Sequence, residues 1–374
     1  MLFSIRQPHG GGRYAGEITV SISIQSVRLR GSRQAAGAAR RGRRRALLVL
    51  GLLAGTIGSA ANAAELKLLN ASYDVSREFY RDLNESFSAA YKAQTGDQIF
   101  IEQTHNGSSK QARAVIDGLA ADVVTLNQVA DIDALVNAKL VSPNWRAQFP
   151  YDSSAYRSVT AFIVRKGNPK HIKDWSDLVR DDVKVALVNP KTGGNGRYTF
   201  LAAYGYALQA LGDETKAKAF VAKLYKNVPV LDTGGRAATT TFAQRGIGDV
   251  LVTFESEVYL IKREFGASDY EAIVPSISVL ADFPFALVNP IVDKHGTRQA
   301  ATAYLNYLVS DAGQEIAAKN FYRPNSAAVA AKYADQFPPT KLIDVEAQFG
   351  GWAKAQQTFF DDGGVFDQIY TLGK

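Results

Sequence analysis

The run Asn189-Pro190-Lys191-Thr192-Gly193-Gly194-Asn195-Gly196 decides the fold of this chain. It lies between an apolar stretch at 183–188, which is typical of a buried strand, and a helical pattern at 198–211. A helix that starts directly after such a loop exposes backbone N–H groups at the positive end of its dipole, and small residues let a ligand approach them. The run therefore predicts an anion-binding loop.

Three other loops repeat this order of strand, small-residue loop and helix. They are Asn70-Ala71-Ser72-Tyr73-Asp74-Val75-Ser76, Thr104-His105-Asn106-Gly107-Ser108-Ser109 and Asp232-Thr233-Gly234-Gly235-Arg236-Ala237. In any one loop, a helix cap or a tight turn explains the residues as well as binding does. Four such loops in the same context favour ligand binding, because a helix cap alone does not require additional glycines in the loop. Strands that alternate with helices indicate parallel βαβ units, whose strand ends would converge on one cleft.

The N-terminal stretch has the order of a secretory signal. Arg40-Arg41-Gly42-Arg43-Arg44-Arg45 precedes an apolar run at 46–58, and Ala61-Asn62-Ala63 follows it, which predicts cleavage near Ala63. The apolar run is short against the ~20 residues that span a bilayer, and the chain has no cysteine for a lipid anchor. The residues before the signal exceed its usual length. A translation start assigned too far upstream is the best explanation of these additional residues. The alternative is a twin-arginine leader.

The leader also accounts for the basic charge of the chain. Residues 1–63 hold ten of the 43 basic residues and one of the 36 acidic residues, which leaves 33 basic against 35 acidic residues. The basic excess therefore gives no support for nucleic-acid binding. The remaining 311 residues exceed the ~250 to 300 at which a single core stops growing, so two lobes are expected. We place lobe 1 at 65–162 plus 272–374 and lobe 2 at 163–271.

Catalytic and metal-binding patterns are scarce. The chain has neither His-Glu-x-x-His nor Gly-x-Ser-x-Gly, and the loop at 191–197 lacks the Gly-Lys-Ser/Thr ending of a nucleotide-binding P-loop. Three histidines after the leader are too dispersed for a metal site: His105, His171 and His295. Three carboxylates lie near one strand end: Asp249, Glu255 and Glu257. Solvated positions at a helix start explain them better than a catalytic pair does. We predict no enzyme, no metal and no cofactor.

Seven stretches carry a resemblance to a known family. They are LLNASYDVSRE (68–78), HNGSSKQA (105–112), ADVVTLNQV (121–129), VRKGNP (164–169), LAAYG (201–205), RGIGDVL (245–251) and FGGW (349–352). Together they resemble the periplasmic sulfate- and thiosulfate-binding proteins of bacterial ABC importers. The resemblance implies an α/β, two-lobed periplasmic-binding-protein fold of type II with the ligand cleft between the lobes. It also implies an exported monomer that delivers sulfate or thiosulfate to permease subunits in the inner membrane.

The resemblance further implies which residues hold the anion. That family binds a dehydrated dianion through uncharged donors, which here correspond to the Ser108 hydroxyl and to backbone N–H groups of Asp74, Gly193, Gly194, Asn195 and Gly235. Two positions depart from the sulfate binders, which have Ser in place of Gly193 and Trp in place of Phe254. Phe254 resembles the thiosulfate-binding branch, since the soft sulfur of thiosulfate accepts hydrogen bonds poorly. The alternatives are a binder of phosphate or molybdate and a secreted hydrolase, although the hydrolase would lack a nucleophile and base.

Overall fold

Strands alternate with helices across residues 65–372, the part of the chain that the computed structural model describes. The predicted leader, 1–63, lies outside the described residues. The strands are β1 (Glu65–Tyr73), β2 (Gln98–Asn106), β3 (Val123–Thr125), β4 (Ser154–Arg165), β5 (Val185–Val188), β6 (Leu231–Asp232), β7 (Val250–Phe254), β8 (Tyr270–Ile273), β9 (Ser278–Leu287) and β10 (Leu342–Ile343).

The helices fill the intervals between these strands and the C-terminal part. They are α1 (Arg77–Thr95), α2 (Ser108–Ile116), α3 (Val129–Asn137), α4 (Pro150–Ser153), α5 (Gly194–Leu211), α6 (Glu214–Lys226), α7 (Gly235–Thr239), α8 (Glu255–Phe265), α9 (Asn289–His295), α10 (Arg298–Val309), α11 (Asp311–Lys319), α12 (Ala327–Lys332), α13 (Val345–Phe349), α14 (Gly351–Ala355) and α15 (Val365–Leu372). Within residues 65–372, none of these helices is both long and apolar enough to cross a membrane.

Two groups of parallel strands are joined by two long antiparallel strands. The sheet order is β2-β1-β3-β9-β4-β7-β5-β6, with β10 beside β9 and β8 beside β4. Residues 154–159 of β4 pair with β9, whereas residues 160–164 pair with β7. The far end of β9, residues 285–287, pairs with β3. The two-lobed α/β architecture predicted from the sequence is therefore confirmed, and β4 and β9 run between its halves.

An aromatic cluster forms the floor beneath the loops that end these strands. The rings of Tyr156 and Tyr322 lie 4.1 Å apart between centroids, and Phe283 lies 5.2 Å from both Tyr73 and Phe254. The hydroxyls of Tyr73 and Tyr156 share a hydrogen bond of 3.0 Å. Because each buried hydroxyl has a partner, the cluster gains packing without leaving a polar group unsatisfied. The loops above it therefore rest on a closely packed base.

The C-terminal part folds into short helices. Residues 345–355 form two helices rather than one, because Gly350 and Gly351 have φ of 72° and 89°, so that α13 ends and α14 begins there. Phe366 of α15 contacts Tyr225 of α6 with ring centroids 5.3 Å apart. This packing argues that the last helices associate with the 163–271 segment. The predicted lobe limits themselves stay a prediction.

Candidate anion-binding cleft

Three helices begin at glycines, whose missing side chains cannot cap them. Gly107, Gly193 and Gly234 precede α2, α5 and α7 and offer no capping side chain of their own, although the Asp74 carboxylate accepts the backbone N–H of Arg236 in the first turn of α7. Three other helices, α6, α11 and α12, are capped by their preceding residues Asp213, Ser310 and Ser326. The first N–H groups of a helix have no intrahelical acceptor. These three helix starts therefore keep N–H groups open to an external acceptor, at the positive ends of their dipoles.

The glycine-led loops lie in contact with one another. A Cβ placed on Gly107 would lie 2.6 Å from the carbonyl oxygen of Thr192 and 3.4 Å from that of Thr233. A Cβ on Gly234 would lie 2.6 Å from Oδ2 of Asp74. A larger residue at Gly107 would push the backbones of these loops apart, whereas a larger residue at Gly234 would displace the Asp74 carboxylate. The four loops singled out in the sequence thus meet in one cleft.

Ser108 contributes a buried hydroxyl to this cleft. It is the first residue of α2 rather than its cap, and it is 1% exposed. Its Oγ accepts the backbone N–H of Asn127 over 3.2 Å. Among residues 65–372, no acceptor takes the hydrogen of the Ser108 hydroxyl itself. The side chain is therefore oriented by one bond and retains its own donor.

The loop at 193–195 offers fewer donors than the sequence predicts. The N–H of Gly193 already donates to the carbonyl oxygen of Asn189 over 3.0 Å and closes the turn. The side chain of Asn195 donates to Oγ1 of Thr253 over 2.9 Å. The open donors here are the backbone N–H groups of Gly194 and Asn195, the first two residues of α5. The engaged N–H argues against the predicted contact from Gly193.

Phe254 lies in the aromatic floor rather than in an open position. Its ring is buried, with centroids 5.7 Å from Tyr198 and 5.2 Å from Phe283. The residue ends β7 directly before α8. A contact between this ring and a ligand stays a prediction.

Arg197 joins elements on the two sides of the cleft, and it is not among the site residues predicted from the sequence. Its Nη1 lies 3.3 Å from Oδ1 of Asp131, which belongs to α3, and both side chains are only 7% exposed. Its Nη2 donates to Oγ of Ser109 in α2 over 3.0 Å. A groove of about 840 Å³ opens beside this pair, lined in part by Lys191 and Gln356. The guanidinium charge is therefore neutralised within the protein.

Arg236 forms a second connection. Its Nη2 lies 3.0 Å from both carboxylate oxygens of Glu78 in α1, and its backbone N–H donates to Oδ2 of Asp74 over 3.1 Å. Burial raises the pKa of the Asp74 carboxyl, and Arg236 acts in the opposite direction. A signal for both arginines was present in the sequence. A basic residue in the first turns of a helix is disfavoured by the dipole, which indicates a nearby acidic partner.

Two carboxylates that the sequence suggested were solvated are buried instead. Glu255 accepts from Nε and Nη2 of Arg323 over 2.7 and 2.9 Å. Glu257 accepts from Oγ1 of Thr239 over 2.7 Å, and burial raises its pKa to about 7. The prediction of a solvated helix start is wrong for both. The reason is that segments distant in sequence, around residues 239 and 323, cover the start of α8.

The histidines do not assemble into a site. The Nδ1 of His105 lies 3.0 Å from the carbonyl oxygen of Tyr73, and that of His295 lies 3.0 Å from Oδ1 of Asp122. Within residues 65–372, no three His, Cys, Asp or Glu side chains are grouped so that they could hold a metal ion. The cleft is thus built from helix N–H groups and one hydroxyl, with its two arginines paired to carboxylates.

A two-lobed α/β fold whose helix starts meet in a cleft is the architecture of periplasmic solute-binding proteins, which close by hinge motion around a ligand. The family model for bacterial extracellular solute-binding proteins matches residues 75–323. The chain belongs to this family.

Named relatives agree with the resemblance found in the sequence. The chain is 56% identical over 326 residues to the thiosulfate-binding protein of Pseudomonas aeruginosa, covering 87% of this chain and 97% of the relative. It is 50% identical over 308 residues to the sulfate-binding protein of Escherichia coli, covering 82% and 94%. The solved structure of the sulfate-binding protein SubI from Mycobacterium tuberculosis matches with a TM-score of 0.72 at 30% identity, covering 79% of this chain and all of the other. The predicted resemblance is confirmed.

Proposed function

We propose that this protein binds sulfate or thiosulfate in the cleft and carries it to an ABC importer, without a catalytic step. The observation that supports this most is the meeting of three glycine-led helix starts with the hydroxyl of Ser108, whose hydrogen has no acceptor among residues 65–372. Oriented backbone dipoles stabilise a buried dianion without requiring a desolvated counter-charge. The relatives at 50% identity or more over at least 82% of this chain carry the names of sulfate- and thiosulfate-binding proteins.

The proposed ligand contacts come from both sides of the cleft. On one side are the backbone N–H of Asp74 and the hydroxyl of Ser108. On the other are the backbone N–H groups of Gly194, Asn195 and Gly235. Gly193 is not included, because its N–H is engaged with Asn189. We place the ring of Phe254 near the sulfur of thiosulfate, where an indole N–H would have no good acceptor.

Calorimetry of the mature chain with sulfate, thiosulfate, phosphate and molybdate tests this function. We expect tight binding of one or both sulfur oxyanions and weak binding of phosphate. Phosphate keeps a proton at neutral pH and needs a carboxylate acceptor, whereas the Asp74 carboxylate is occupied by the N–H of Arg236. Preferential binding of phosphate or molybdate would contradict the proposal.

The cellular setting is a further part of the proposal. We place the protein in the periplasm as a monomer, cleaved near Ala63 and docking to permease subunits in the inner membrane. The basic, apolar and small-residue order that ends at Ala63 supports export. N-terminal sequencing of the periplasmic protein tests it, and an N-terminus upstream of Arg40 would contradict the cleavage.

A further inference from the structure

The loop that follows β3 carries two buried amide side chains without full hydrogen bonding. Asn127 is 4% exposed and Gln128 is 0% exposed. Among residues 65–372, neither Oδ1 of Asn127 nor Oε1 of Gln128 has a hydrogen-bond partner. Two other buried amides have bonded oxygens, since Asn70 bonds Thr125 and Tyr304, and Gln314 bonds Asn325 and Ala155, whereas Oδ1 of Asn320, far from this loop in the chain, also lacks a partner among residues 65–372. Leaving a buried polar atom unsatisfied is unfavourable, so the two amides of this loop require an explanation.

Both amides lie between the two helix starts that face each other across the cleft. The backbone N–H of Asn127 donates to Oγ of Ser108 over 3.2 Å. A Cβ placed on Gly194 would collide with Oδ1 of Asn127 and would lie 2.5 Å from Cγ of Gln128. The carboxamide of Asn127 therefore lies directly against the first residue of α5 while its backbone contacts the first residue of α2.

Gln128 has a different contact from Asn127. Its Nε2 donates to the carbonyl oxygen of Gly194 over 3.3 Å. That carbonyl belongs to the same peptide unit as the N–H of Asn195, so the bond fixes the direction of that N–H. Asn127 has no such bond from its side chain to the protein within the described residues.

We infer that the carboxamide of Asn127 is a ligand-binding group that donates Nδ2–H to the anion in the cleft. A carboxamide presents either its oxygen or its nitrogen to one position by rotating half a turn, and next to a dianion the nitrogen is favoured. The inference rests on the proposed function. The Asn127 carboxamide supplies a side-chain donor to a site in which Gly193 and Phe254 provide none.

The variants Asn127→Ala and Asn127→Asp test the inference, with Thr125→Val as the matched control. Thr125 is the last residue of β3, two positions before Asn127, and its hydroxyl donates to Oδ1 of Asn70 over 2.9 Å. Affinities for sulfate and thiosulfate are measured by calorimetry, and melting temperatures are measured with and without each anion. Because a hydrogen bond to a charged group is lost, Asn127→Ala should bind about ten- to a hundredfold more weakly.

Asn127→Asp keeps the shape of the side chain and should bind more weakly still at pH 8, because its carboxylate faces the dianion. The melting temperature without anion should not fall in Asn127→Ala, since no hydrogen bond of the side chain is lost. Thr125→Val should melt at a lower temperature but keep its affinity within about twofold, because one buried hydrogen bond is removed away from the cleft.

Two results would overturn the inference separately from the proposed function. If the unmodified protein binds sulfate or thiosulfate and Asn127→Ala binds it equally well, Asn127 is not a ligand-binding group. The same conclusion holds if Asn127→Ala melts earlier without anion and keeps full affinity, which is the behaviour of a structural residue. If the unmodified protein binds neither anion, the proposed function itself fails, and the inference fails with it.

Discussion

Glu257 is a carboxylic acid buried beside the cleft, and its environment predicts how stability depends on pH. It lies in the first turn of α8 and is 1% exposed. Oε1 accepts from Thr239, while Oε2 has no partner among residues 65–372. Burial raises the pKa of Glu257 from 4.5 to about 7; Arg236 lowers it, and the negative charges of Asp74 and Glu78 raise it. The folded protein therefore holds a proton that the unfolded chain releases.

The sign and size of the effect follow from this difference in pKa. A carboxyl whose folded pKa is raised binds more protons in the folded state, so the free energy of unfolding falls as the pH rises from about 4.5 through about 7. Since each pKa unit corresponds to ~1.4 kcal/mol, the loss above pH 7 is about 3 kcal/mol. The native protein should be more stable at pH 5 than at pH 8 by about 2 to 3 kcal/mol, as far as Glu257 contributes, because a small part of the loss has already occurred at pH 5.

The substitution Glu257→Gln removes the ionisable proton and keeps the shape of the side chain. We expect the free energy of unfolding at pH 8 to rise by about 3 kcal/mol, and to differ little from that of the native protein at pH 4. Urea denaturation at pH 4 to 8, followed by circular dichroism without anion, measures both. Glu255→Gln is the matched control. It weakens the ion pair with Arg323 and should destabilise by about 3 kcal/mol.

Equal pH profiles for the native protein and Glu257→Gln would refute this reasoning. Glu257→Gln would also refute this reasoning if it were less stable than the native protein at pH 8. In that case a neutral amide at this position would stabilise the fold less than the buried carboxylate does. The expected result is a loss of stability in Glu255→Gln and a gain in Glu257→Gln. Such opposite effects would show that the two buried carboxyls differ because Glu255 pairs with Arg323 whereas Glu257 does not.

Three more outcomes are expected. Ser108→Ala should lose about 1.5 to 3 kcal/mol of anion binding by calorimetry, because a donor to a charged group is removed, and should stay folded with a lower melting temperature without anion, because the N–H of Asn127 loses its acceptor; an unchanged affinity would exclude the hydroxyl. Arg236→Gln should weaken binding by up to about 1 kcal/mol, less at high salt, because the half-buried bridge to Glu78 links the two sides of the cleft. An affinity equal to that of the native protein at low salt would exclude this link. Phe254→Trp should raise the sulfate-to-thiosulfate affinity ratio and lower the free energy of unfolding by about 1 to 3 kcal/mol, since the ring is packed against Phe283; an unchanged ratio in a folded variant would exclude Phe254 from the site.

Local patterns in the sequence predicted the elements that surround the cleft. The strand predicted at 183–188 contains β5, and the helix predicted at 198–211 lies within α5, which ends before Gly212 with its φ of 66°. Both depend on signals within one segment, namely an apolar run and a glycine that accepts a left-handed conformation. The four loops that converge were also visible, because strand, small-residue loop and helix are consecutive along the chain.

The contacts between distant segments could not be predicted in this way. Asp131 and Arg197 are 66 residues apart, and Glu78 and Arg236 are 158 apart. No periodicity encodes which acidic residue meets which arginine, because the meeting depends on how the halves of the sheet are arranged. The burial of Glu257 follows from the same cause. Its sequence environment resembles an ordinary charged helix start, and only the covering segments make it a buried acid.

The distribution of charge around the cleft bears on how an anion can be both held and released. Arg197 and Arg236 lie beside the site, yet each is paired with a carboxylate on the other side of the cleft. An unpaired guanidinium facing the anion would add an attraction that persists when the cleft opens. Helix N–H groups contributed by both sides act together only while the halves are closed, since opening separates them. The two arginines therefore link the halves through ion pairs, and the proposed binding depends on donors that both halves contribute.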